Sequence, residues 1–97
     1  MQQDEERLPK LDVRTGWIDV TITSEPFVVM TFKGYAPAVN VRVVRTGLDY
    51  LLYISAKSLA EGLEPMRKAN EGHFKGLQFG IRKAAEDKFA KYEVQAK

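Results

Sequence analysis

Apolar and polar residues alternate along Trp17-Ile-Asp-Val-Thr-Ile-Thr23, with Ile18, Val20 and Ile22 on one side and Trp17, Asp19, Thr21 and Thr23 on the other. A period of two built on β-branched residues predicts a half-buried strand. Ser24-Glu-Pro26 predicts a turn, because proline presets φ. Phe27–Phe32 reads as a second strand, apolar on both faces. Lys33–Ala38 carries Gly34 and Pro37 and is expected to be a loop. Val39–Arg45 and Asp49–Ile54 read as two further strands, joined tightly at Thr46-Gly47 with Gly47 at positive φ.

The period then changes. Leu59, Leu63 and Met66 recur at helical spacing, and Ser58-Leu-Ala-Glu61 matches the capping-box pattern. Gly62 costs roughly 1 kcal/mol against alanine in a helix. Pro65 removes a backbone bond, so the helix is expected to kink there or split in two. Asn70-Glu-Gly72 is expected to end it. Phe74–Lys83 places Leu77, Phe79 and Ile81 in alternation with Gln78, Gly80 and Arg82, a fifth strand. Ala84–Val94 has helix-favouring composition, but also reads as a turn at Ala85–Lys88 followed by a strand with Ala90, Tyr92 and Val94 on one face. The hairpin is preferred because Phe79 and Ile81 need a partner strand. The order ββββαββ gives an α+β domain: a mainly antiparallel sheet packed against one kinked or split helix.

Residues 1–12 lack periodicity and are rich in charge, so they are expected to form a mobile polar tail ahead of a single domain over 13–97. The polar start has no apolar stretch of the kind a secretory signal needs. No apolar run approaches 18 residues, so no membrane partner is expected. The chain has no cysteine, which removes disulfides, thiolate metal sites and cysteine nucleophiles. That composition suits a cytoplasmic protein, and with 29% charged residues it also suits a thermophile.

Enzyme signatures are scarce. The one histidine, His73, falls in an expected loop, and no His/Asp/Glu group has metal-ligand spacing. Ser58 is better explained as a cap than as a nucleophile, and Glu61 and Glu64 as a solvated helix face than as an acid–base pair. The glycines at 72, 76 and 80 lack the Lys-Ser/Thr of a phosphate loop. Neither catalysis nor a cofactor is expected.

Charge distribution carries the remaining signal. The net charge is only +2, yet residues 33–45 contain three bases and no acid, and residues 65–83 contain five bases and one acid. Clustered positive charge attracts polyanions. Aromatic residues lie among these bases. Lysine and arginine neutralise phosphates, and flat rings stack on unpaired bases at roughly 1–3 kcal/mol each. The expected phosphate contacts are Lys33, Arg42, Arg45, Lys75, Arg82 and Lys91. The stacking candidates are Trp17, Tyr35, Tyr50 and Tyr53. Gly80 would let a planar group approach the backbone.

Leu51-Leu-Tyr-Ile-Ser-Ala-Lys-Ser-Leu-Ala-Glu-Gly-Leu-Glu-Pro-Met66, then Gly76-Leu-Gln-Phe-Gly-Ile-Arg-Lys83 and Lys91-Tyr-Glu-Val94, resemble segments of the ThermoDBP-related proteins of thermophilic archaea. The resemblance covers residues 15–95. It implies a small single-stranded DNA-binding domain with a cleft against an antiparallel sheet, without an added C-terminal oligomerisation helix. The expected function is therefore non-catalytic binding of single-stranded DNA, or RNA, with little sequence preference. The alternative is a protein-interaction module, in which the apolar Phe27–Phe32 segment pairs with another protein or forms a homodimer.

Overall fold

The computed structural model describes residues 8–97. It is an α+β fold in the expected order: β1 (Ile18–Ile22), β2 (Phe27–Thr31), β3 (Gly34–Val43), β4 (Asp49–Tyr53), α1 (Lys57–Ala69), β5 (Gln78–Lys83) and β6 (Tyr92–Ala96). All pairings between these strands are antiparallel.

Ser24-Glu-Pro26 does not reverse the chain. Val20 lies opposite Val43 and Ile22 opposite Val41, while further on Phe27 lies opposite Ala38 and Thr31 opposite Gly34. Thus β1 and β2 follow each other in one direction along the same edge of β3. Two extra residues are absorbed between them as a bulge. Asn40 anchors that bulge: its carbonyl accepts from the Thr23 N–H at 2.8 Å, and its N–H donates to the Ser24 hydroxyl at 3.0 Å. The reversal comes instead at Phe32-Lys33, followed by Gly34 at φ 112°.

The expected loop at Lys33–Ala38 is therefore corrected: from Gly34 onward it is strand, and β3 runs for ten residues. Pro37 is tolerated because its missing N–H faces the end of β4, not β2. Val43 donates to the Leu48 carbonyl and Pro37 accepts from Ile54 on that same side, so the loss falls at the last rung of the ladder.

β4 covers the other edge of β3 through a tight connection in which Gly47, at φ 74°, donates to the Val43 carbonyl. β5 lies on the free side of β1, and β6 on β5. The hairpin reading of the last segment is the one the chain adopts. The fifth strand starts at Gln78 rather than Phe74, because Gly76 at φ 98° turns the chain just before it.

Leu59 and Leu63 of α1 are buried against Val20, Ile22, Val39, Val41, Phe79 and Ile81, forming the main core. The helix passes through Pro65 as one element, so of the two expected alternatives, kink or split, it does not split. Pro65 lies on the exposed side of the helix, where the freed carbonyl can meet water. The capping box is not formed. Ala56 is the N-cap and makes no side-chain cap bond. Ser58 sits inside the first turn, and its hydroxyl accepts from the Tyr92 N–H at 3.0 Å, tying the helix to β6. Asn70 ends the helix as expected, followed by Glu71 and Gly72 at positive φ.

The expected tail is corrected from Leu8 onward, and its first seven residues lie outside those described. Leu51 donates to the Pro9 carbonyl at 2.7 Å and accepts from the Leu11 N–H at 2.8 Å, so this segment adds a short parallel pairing to the outer edge of β4. Leu11 and Val13 enter the main core, and the Lys83 N–H then bonds the Arg14 carbonyl at 2.7 Å. A stretch without sequence periodicity thus bridges β4 to β5. On the opposite face of the sheet, Val29, Ala38 and Leu51 form a second small core, flanked by Leu8 and Tyr53.

Candidate nucleic-acid interface

Strand register decides which cations meet acids. Arg42 lies opposite Asp49, and Arg82 opposite Glu93. Arg42 holds Asp49 through two bonds, 2.8 Å from Nε and 3.3 Å from Nη2. That pairing lowers the Asp49 carboxyl and raises the Arg42 guanidinium from their ordinary values. Arg82 Nε bonds Glu93 at 2.7 Å. Two of the six expected phosphate contacts thus have their charge answered inside the protein.

Trp17 also finds its partner at home. The Arg82 guanidinium lies over the indole, 4.7 Å from the ring centroid. Gly80, opposite Asp19 in the register, is buried, and a Cβ placed there would stand 3.2 Å from the indole Cε3. The planar group that Gly80 admits is therefore the chain's own tryptophan.

The other expected residues fall into three places. Arg45 and Tyr50 line one cleft of about 430 Å³ together with Trp17, but Asp12 and Asp19 share that lining. Tyr50 packs on the main core. Lys33, Tyr35 and Tyr53 line a second cleft, described below. Lys75 is exposed in the loop after α1, and Lys91 is exposed in the β5–β6 connection; neither reaches either cleft. The ten residues do not converge upon one groove.

The second cleft measures about 620 Å³ and lies between the β2–β3 hairpin, the end of β4 and the N-terminal segment. The hairpin supplies Thr31, Lys33 and Tyr35; β4 supplies Leu52 and Tyr53; the segment after it adds Ser55. Two residues that sequence reasoning missed complete it. Lys10 is brought there by the Pro9–Leu11 pairing on Leu51, and its ammonium stands 5.8 Å from the Tyr53 ring centroid. Tyr92 is fixed by the bond from its N–H to Ser58, and the Lys83 ammonium stands 5.8 Å from its ring centroid.

Among the described residues, no carboxylate lines this cleft. Its polar content is two ammonium groups, three phenols and two hydroxyls, over an apolar floor of Leu11, Val13 and Leu52. Neither lysine has an ion-pair partner among the described residues. Tyr35 is 72% exposed, leaving a ring face open to a ligand. Such a lining can neutralise phosphate and stack planar groups. Among the described residues, no three His, Asp or Glu side chains are grouped to hold a metal ion, and no helix is long and apolar enough to cross a membrane. Comparison with protein-family models, curated proteins and solved structures gives no match.

Proposed function

We propose that the protein binds single-stranded nucleic acid, DNA foremost, in the cleft between the β2–β3 hairpin and the N-terminal segment. The observation that carries this reading is the lining of two lysines and three tyrosines, with no carboxylate among the described residues. Lys10 and Lys33 take phosphates, with Lys83 beside Tyr92 as a third cation. Tyr35 and Tyr53 stack bases, and Tyr92 closes the inner side. Contact through ring faces and phosphates carries no base identity, so little sequence preference is expected. The resemblance of Leu51–Met66, Gly76–Lys83 and Lys91–Val94 to ThermoDBP-related single-stranded DNA-binding proteins supports the same reading, and with it an archaeal, thermophilic setting.

A labelled oligothymidylate titrated by fluorescence anisotropy tests the proposal. With three phosphate contacts on a single strand, log K is expected to fall with log salt at a slope near −2. Tyr35→Ala removes an exposed ring and is expected to weaken binding by about 1–3 kcal/mol. Absence of saturable binding at low salt would overturn the reading. A second reading, protein association, draws on a different surface: Val28, Met30 and Phe32 of the hairpin are 65%, 61% and 110% exposed.

A further inference from the structure

The two clefts share a wall. Lys10 and Leu11 line both the cleft proposed to hold the single strand and the cleft of about 430 Å³ at Trp17. The Trp17 cleft differs in charge. Lys10 and Arg45 are balanced there by Asp12 and Asp19. Acids in the lining disfavour a phosphate but not a neutral base. The rings of this cleft are held in place. The Arg82 guanidinium lies over the indole of Trp17, and Tyr50 packs on the main core. Trp17 is still 44% exposed, so ring surface remains for stacking. The polar groups are only partly used. Arg14 Nε bonds Asp12 Oδ2 at 3.0 Å, and the Lys97 ammonium stands 3.2 Å from Asp19 Oδ1. One oxygen of each carboxylate is thus unbonded among the described residues. Arg45 is exposed and has no ion-pair partner among those residues.

Building on the nucleic-acid reading above, we propose that the Trp17 cleft takes one base of the bound strand and that this base is guanine. A strand crossing the Lys10–Leu11 wall keeps its phosphates on the lysine side and turns one base into the Trp17 cleft. Guanine alone among the common bases sets two adjacent donors, N1–H and the N2 amino group, on one edge. Those are the donors that the open oxygens of Asp12 and Asp19 lack, and bonds to a charged acceptor are the strong ones. Adenine and cytosine set one amino group beside a ring-nitrogen acceptor. Thymine sets its single N–H between two carbonyls. Each of these three turns an acceptor toward the acids. The acceptors of guanine, O6 and N7, are the atoms to which an arginine such as Arg45 donates. Trp17 and Tyr50 supply the flat surfaces. One base-reading position is thereby added to a strand otherwise held by phosphates and ring faces.

Fluorescence anisotropy of a short labelled oligothymidylate is compared with that of the same strand carrying one guanine, walked through each position. At its best placement guanine is expected to tighten binding on the order of 10-fold. It is also expected to quench Trp17, the one tryptophan of the chain. Adenine or cytosine at that placement is expected to do neither. Asp12→Ala combined with Asp19→Ala, both at exposed positions, is expected to bring the guanine preference to near unity while the all-thymidine strand binds no more weakly. Acids acting only through general charge would, when removed, tighten both strands alike and leave the preference in place. A preference that survives the double variant would overturn the proposal. So would equal affinity for every strand with Trp17 emission unchanged by guanine. Either result leaves the nucleic-acid reading standing, whereas absence of saturable binding by every strand overturns both.

Discussion

At Gly62 an added methyl group would overlap the Val94 side chain of β6. The glycine that weakens the helix by propensity is what lets β6 approach it. Gly62→Ala gains roughly 1 kcal/mol of helix propensity and meets an overpacking cost of about 1–3 kcal/mol. A net loss on the order of 1 kcal/mol is expected in urea denaturation; a stabilised variant would show that β6 is not held there. The same kind of reasoning separates the cations. Arg42 and Arg82 look available along the chain, but their acids come from neighbouring strands seven and eleven residues away. Only register reveals those pairs, so a count of bases and rings overstated the site. Lys10 was hidden for the converse reason: it lies in a stretch with no periodicity, and only its backbone pairing to Leu51 brings it to the cleft.

Among the elements, those with a clear period were legible: β1 and β4 nearly to the residue, and the buried stripe Leu59–Leu63 of α1. The misreadings at proline and serine share one cause. Proline and serine at Ser24–Pro26, Pro37, Ser58 and Pro65 were assigned from local rules, whereas their roles depend on which neighbour each backbone group faces. Glu25 shows how such a residue is then used. The Phe74 N–H foremost, with the Lys75 N–H and His73, holds its carboxyl below the ordinary range. It thereby fastens the α1–β5 loop to the bulge between β1 and β2. A carboxyl with a lowered folded-state pKa stabilises the fold above its unfolded value, and that contribution fades as pH falls through the folded value. Asp49 and Glu64, lowered by their bonds to Arg42 and Arg67, act in the same direction. Stability is therefore expected to decline below about pH 4. Glu25→Gln is expected to flatten part of that decline, as read from urea midpoints across pH; an unchanged profile would remove Glu25 from the account of the loop.

Over the whole molecule, one core is shared by the sheet, the helix and the N-terminal segment. Phe79 and Ile81 are fully buried, and Phe79→Ala is expected to cost about 3–5 kcal/mol. Leu11→Ala is expected to cost about 2–5 kcal/mol, and also to speed hydrogen exchange at the Leu51 and Leu11 amides as the strap loosens; slow exchange there would contradict its bridging role. Because the strap also carries Lys10, fold and cleft are coupled through one short segment. The most direct test of the proposed function is amide chemical-shift mapping during titration with a short single-stranded oligonucleotide. Shifts concentrated at Lys10, Lys33, Tyr35, Tyr53, Ser55 and Tyr92 are expected. Shifts centred instead on Lys75 and Lys91, or none at saturating oligonucleotide, would contradict it.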